Sequence, residues 1–127
     1  MANNSEIKIR EEIAPREWSH CLGLLKEARY LLLRDSESFH EAATALEEIG
    51  RVVSGACGRG LGSYKSALLA VVGCSQKPGL DKIARNFEVI KEARNSAVHS
   101  GAWARHLSDR LIDFFLILES AIKKEIS

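Results

Sequence analysis

Apolar residues recur along this chain at steps of three and four rather than two, the spacing that gathers side chains on one face of a helix. Trp18, Leu22, Leu25 and Leu32 form the first such series, with Arg29 at the same spacing between the last two. They follow Pro15, whose fixed φ and missing N–H suit the first position of a helix, and predict a helix over residues 15–34. Asp35 or Ser36 stands where a cap belongs for a second helix over 37–54, with Phe39, Ala42, Ala43, Leu46, Ile49 and Val53 facing inward. The glycines of GACGRGLG at 55–62 break the pattern. Ser63 then predicts the cap of a shorter helix, YKSALLAVVG, ended by Gly73, and the turn CSQKPG leads to a helix from about residue 79 to 98. The last series begins near Ala102 and runs Trp103, Leu107, Leu111, Phe114, Phe115, Leu118 and Ile122, with Lys123 and Lys124 suited to its C-terminal end. No strand pattern competes. The expected fold is all-α: an up-and-down four-helix bundle with an additional short helix, formed by residues 15–127 as a single domain behind an N-terminal arm at 1–14.

Composition narrows what such a bundle can do. The 127 residues suffice for one core and not two, and 46% hydrophobic with 28% charged residues exclude a disordered chain. Eighteen Lys and Arg against seventeen Asp and Glu leave a net charge of +1, so no broad basic field is present and any anion site must be local. The apolar runs LLL at 31–33 and FFLIL at 114–118 fall far short of the roughly 18 residues that cross a bilayer. MANNSEIKIREEIA alternates charges with isoleucines and lacks the apolar core of a secretion signal. Cys21, Cys57 and Cys74 share no metal-binding or CxxC spacing, which fits reduced thiols in a cytoplasm, with neither a metal nor another cofactor expected.

The helix from Leu80 carries the chemistry. Its stripe runs Leu80, Ile83, Phe87 and Ile90, and the position four residues on is Arg94 instead of another aliphatic. A buried guanidinium without a partner costs several kcal/mol. Arg94 must therefore find a carboxylate inside the bundle, with Glu88 or Glu92 as nearby candidates, or face a cleft or subunit interface open to anions. Asn95 lies one turn before His99, close enough to orient its imidazole. In an unbroken helix Arg94 and His99 diverge by about 140°. Ser100 and Gly101 supply a stop that lets the last turn unwind toward the arginine side. Two copies packed across a two-fold axis would join two arginines and two histidines in one cleft, a composition suited to RNA cleavage. Neutral imidazole takes the proton of a ribose 2′-OH, imidazolium protonates the leaving 5′-oxygen, and arginine stabilises the phosphorane charge.

Other features compete. Arg34 and His40 form a competing pair, separated by five residues and with Asp35 following the arginine, although Asp35 is already explained as a cap. The loop 55–62 lacks the strand-turn-helix setting of a phosphate cradle and reads as a connector. Arg105, His106 and Arg110 either extend an RNA-binding rim or form a solvated face with Asp109 and Asp113. Trp103 either stacks on a base or fills the bundle end or a dimer seam. His20 reads as a surface or satisfied histidine.

RNSAVH at 94–99, preceded by IKEA and followed by SGAW and a long apolar helix, resembles the Arg-x4–6-His motif of the HEPN superfamily, in which a polar residue often follows the arginine as Asn95 does here. The likeness covers most of the chain in helix order, and only the hexamer is specific. The resemblance implies a four-helix bundle, a homodimer that joins two motifs, and metal-independent endoribonuclease activity with Arg94, Asn95 and His99 at the site. It also implies a role as a toxin or antiviral-defence effector, with an antitoxin or defence-system partner. HEPN toxins inactivated by adenylylation carry Arg-x4-His-x-Tyr, and Gly101 occupies the tyrosine position here, which argues for a different antitoxin or none. The alternative from the same resemblance is a catalytically silent HEPN domain that binds nucleotide or a protein partner and uses Arg94 as an anion clamp or ion-pair member.

Overall fold

The computed structural model describes residues 7–73, 79–95 and 101–127. Among the described residues all regular secondary structure is helical: α1 Pro15–Arg34, α2 Phe39–Ser54, α3 Lys65–Gly73, α4 Leu80–Arg94 and α5 Gly101–Ile126, with 3-10 turns at Ser36–Ser38 and Leu61–Tyr64. Pro15 opens α1 as its composition requires, and the Glu17 carboxylate accepts the N–H of Ala14 at 2.9 Å, satisfying a donor the helix start leaves over. Gly55 ends α2 at φ +70°, and its N–H reaches back to the carbonyl of Arg51 at 2.8 Å.

α1 packs on α5 and α2, while α4 packs on α5 and α3. Two long-range bonds set directions. Arg29 on α1 meets Glu119 on α5, and Ser108 Oγ, buried on α5, donates to the carbonyl of Ser36 just beyond α1 at 2.7 Å. Residue numbers fall along α5 as they rise along α1, so the two helices are antiparallel. Leu25, Phe39, Leu46, Ile49, Phe87, Ile90, Leu107, Leu111, Phe114, Phe115, Leu118 and Ile122 are all buried, as their spacing predicts. Each such side chain contributes roughly 1.5–3 kcal/mol on leaving water.

The structure shifts several local expectations. Asp35 caps the 3-10 turn, its carboxylate accepting from Glu37 N at 3.0 Å and Ser38 Oγ at 3.2 Å, so α2 begins at Phe39 rather than residue 37. Ser63 does not cap α3: it sits inside the turn Leu61–Tyr64, and its Oγ accepts the N–H of Arg59 at 3.0 Å. In the same loop the N–H of Gly58 donates to the hydroxyl of buried Tyr64 at 2.6 Å. These amides are consumed within the loop, which is the connector reading of 55–62 rather than a phosphate cradle.

The stretch before α1 runs against the bundle. Ile7, Ile9 and Ile13 pack on the core, the Arg10 N–H donates to Val53 O at 2.8 Å, and its guanidinium donates to Val52 O at 3.0 Å and to Glu17 at 2.9 and 3.2 Å. The hydrogen bonds from Arg10 and from the backbone of Ala14 hold the Glu17 carboxyl below its ordinary range. On α4, Glu88 is held low in the same way by Lys65 and Lys91. A carboxyl whose folded pKa is depressed contributes stability that is present above its unfolded value and disappears as pH falls through the folded one. The midpoint of urea unfolding should therefore fall steeply below about pH 4.5. In a Glu17→Gln, Glu88→Gln variant the same acid titration should be flatter; an unchanged slope would show that these carboxylates are not the groups involved.

Candidate functional site

α4 ends at Arg94, and Asn95 closes it by donating its N–H to the carbonyls of Lys91 and Glu92, both at 3.2 Å. α5 starts at Gly101. The hexamer at 94–99 thus begins on the last residue of α4. The stop falls at 94–95, earlier than the expected one after His99. His99 itself lies outside the described residues.

Arg94 does not occupy the core stripe. Ala93, three residues after Ile90 and 7% exposed, fills that position, because a 3.6-residue period can be continued by either a three- or a four-residue step. The guanidinium of Arg94 lies beside the core, 29% exposed, and its Nη2 stands 3.5 Å from Oε2 of Glu47 on α2. Glu47 is the carboxylate inside the bundle. Neither candidate on α4 is the partner: Glu88 is engaged by Lys65 and by Lys91, the latter at 3.0 Å. Glu92 is exposed. The Arg94 Nε is buried and has no hydrogen-bond partner among the described residues.

A comparison within the molecule gives this meaning. Arg29, 20% exposed, meets Glu119, 4% exposed, through two charge-assisted bonds of 2.7 and 3.0 Å, the paired fork that an arginine committed to structure makes. Among the described residues Arg94 makes one longer ion pair, and its buried Nε has no hydrogen-bond partner. Asn95 is exposed at the end of α4.

The remaining polar residues sort into separate places. Arg105 is exposed, whereas His106 and Arg110 both line a cleft between α4 and α5. Arg110 Nε donates to His106 Nε2 at 3.1 Å and its Nη1 to Asn86 Oδ1 at 3.3 Å, while Asn86 Nδ2 donates to the carbonyl of Arg110 at 3.1 Å. Trp103 is 55% exposed and fills no bundle end in this chain; the inward position is taken by Ala104, three residues before Leu107. Its indole stacks on the His106 ring, with centroids 5.4 Å apart and planes 21° from parallel.

Arg34 ends α1 on the exposed surface, and the ring of His40 stands edge-on to Phe39. His20 is exposed, as expected. Burial pushes the Cys21 thiol up to about 12, far from a reactive thiolate, and Cys57 is exposed. Among the described residues no three His, Cys, Asp or Glu side chains gather to hold a metal ion, and no helix is long and apolar enough to cross a membrane.

Glu47 and Asn86 escaped the sequence reading. Asn86 did carry a signal: asparagine is a poor residue for a helix interior unless its amide has a specific partner. Glu47 carried none, since a glutamate on the polar flank of an amphipathic helix is ordinary. Comparison with protein-family models, with curated proteins and with solved structures finds no match to this chain.

Proposed function

We propose that this protein is a metal-independent endoribonuclease of HEPN type whose site is centred on Arg94, Asn95 and His99 and is completed by a second copy of the chain. The observation that supports this reading is the state of Arg94: partly buried, loosely paired to Glu47, with an unspent Nε, at the point where α4 gives way to the segment carrying His99. A guanidinium desolvated but not fully bonded gains by binding an anion.

In this reading neutral His99 removes the proton of a ribose 2′-hydroxyl. The 2′-oxygen forms a bond to phosphorus, the bond from phosphorus to the 5′-oxygen breaks, and an imidazolium, that of the second copy's motif, supplies the proton of the leaving hydroxyl. Arg94 stabilises the charge that develops on the non-bridging oxygens. The products are a 2′,3′-cyclic phosphate and a 5′-hydroxyl. A biological role as a toxin or antiviral-defence effector, acting in the cytoplasm with an antitoxin or defence partner, belongs to the same proposal.

The test is cleavage of total tRNA and mRNA by the purified protein in the presence of EDTA. Activity should persist, and a substrate with a 2′-deoxy residue at the scissile position should survive uncut. Cleavage of that substrate would rule out the mechanism. Light scattering that finds only monomer at micromolar concentration, with activity intact, would remove the shared cleft.

One observation favours the second reading. Arg94 does have a carboxylate neighbour in Glu47, so a silent domain that uses the pair for structure, or releases the arginine to clamp an anionic nucleotide, accounts for the same contact. Binding of nucleotide or a protein partner without any RNA cleavage would select it.

A further inference from the structure

The cleft between α4 and α5 has a composition that the Arg94 site does not use. It encloses about 580 Å³ and is lined by Lys82, Asn86, His106, Asp109, Arg110 and Asp113, among others. α4 and α5 run antiparallel across it, since Asn86 meets Arg110 while Gly79, at the start of α4, lies on the cleft with Ile117 further along α5. From Trp103 to Ile117 the α5 wall extends about 21 Å.

Three features at one end belong together. Arg110 is held in place by neutral partners, the His106 ring and the Asn86 amide, and not by a carboxylate. Its charge is therefore fixed in position without being cancelled, and its Nη2 is not spent on any hydrogen bond among the described residues. The His106 ring accepts the Arg110 bond through Nε2 and lies under the indole of Trp103, which is 55% exposed. A stacked pair of planar rings, a positioned guanidinium one helical turn further along α5 and Lys82 on the opposite wall of the cleft suit a planar base followed by one phosphate. Asp109 and Asp113 line the same cleft without an ion pair to Arg110 or Lys82 among the described residues, and their charge limits the cleft's positive potential, which disfavours a polyphosphate.

We infer that this cleft is a binding subsite for single-stranded RNA, in which a base stacks on Trp103 and the adjacent phosphate is bound by Arg110 and Lys82, with Asn86 as the residue that positions Arg110. The choice of RNA as the polymer rests on the ribonuclease reading of the Arg94 site. Trp103 lies in the first turn of α5, the helix that follows the hexamer in the sequence.

The test uses the full chain and a short single-stranded RNA oligonucleotide methylated at every 2′-oxygen, which cannot be cleaved by 2′-hydroxyl attack. Trp18 is buried, so quenching of tryptophan emission on titration reports Trp103. Quenching is expected, and affinity should fall about tenfold in Trp103→Ala and in Arg110→Gln, with Trp103→Phe restoring most of it. Asn86→Ala should weaken binding less, and Lys124→Ala, in the last turn of α5, should match the unaltered protein. Because stacking carries the binding and one phosphate is neutralised, the slope of log affinity against log salt should be no steeper than about −1. Unquenched emission, or Trp103→Ala and Arg110→Gln variants that bind like the unaltered protein, would overturn the subsite, as would a steep salt slope without quenching. Cleavage assays separate the two readings. RNA cut with an unaltered KM in Trp103→Ala removes the subsite and leaves the ribonuclease, whereas binding through Trp103 with no RNA cut keeps the subsite and removes the ribonuclease.

Discussion

If the proposed site is right, Arg94→Ala and His99→Ala should each abolish RNA cleavage, and for Arg94→Ala the thermal melting midpoint should move by no more than about 5 °C. Losing one positioned donor to a developing oxyanion costs about 10²–10³ in kcat, and losing the general base about 10²–10⁴, so residual activity of either variant should vanish into the background. The small change in stability follows from the packing of Arg94. Its guanidinium is partly desolvated with an unsatisfied Nε, and its one ion pair to Glu47 is 3.5 Å long. Removing the group relieves one cost and leaves Glu47, 18% exposed, without its partner, so the two effects nearly cancel. Asn95→Ala should reduce activity less than either, because its task is orientation. Arg34→Ala and His40→Ala serve as controls for the competing pair and should change cleavage little. Gel analysis of RNA products together with circular dichroism melts decides the matter. Full activity in Arg94→Ala, or loss of activity in the 34 and 40 variants alone, would place the chemistry elsewhere.

Arg29→Ala should cost far more stability than Arg94→Ala, about 3–5 kcal/mol, although neither α1 nor the middle of α5 has any part in the proposed chemistry. The Glu119 carboxylate is only 4% exposed and rests on two bonds from Arg29, at 2.7 and 3.0 Å. Removing the arginine leaves a buried charge that must be rehydrated, protonated or expelled, and the antiparallel α1 and α5 seam opens to do it. Replacing both partners by apolar residues of similar size, Arg29→Met with Glu119→Leu, should restore most of the loss, since the pair itself gains little over good packing. Urea denaturation of the two single variants and the double variant forms the cycle that checks this. A double variant as unstable as Arg29→Ala would show that the loss came from packing of the arginine stem and not from the stranded carboxylate.

The two arginines show what could be read in advance and what could not. Arg29 stood in the predicted stripe of α1 and Arg94 in that of α4, so the sequence marked both as cations at or beside a helical seam. Their fates differ because their partners lie on other helices. Glu119 is 90 residues from Arg29, and Glu47 comes from α2. Periodicity finds the inward face of a helix to within about one residue step. It cannot tell whether Arg94 or Ala93, or Trp103 or Ala104, takes the innermost place, because the rotation of each helix about its axis is set by the neighbours it packs against.

What the sequence determined by itself is local and repetitive: that the chain is helical, where most of its helices run, and which apolar residues meet in the core. Those follow from 3.6-residue spacing, from Pro15 and Gly55 at helix ends, and from Asp35 as a cap, all properties of neighbouring residues. The hexamer at 94–99 was visible for the same reason. Only the tertiary structure decided that Glu47 faces Arg94, that Asn86 pins Arg110, that Arg29 covers the buried Glu119 and that Ala104 rather than Trp103 faces inward. Pairings between helices depend on the antiparallel register and rotation of whole helices. That choice minimises the exposed apolar area of the entire bundle and is encoded in no single stretch of the chain.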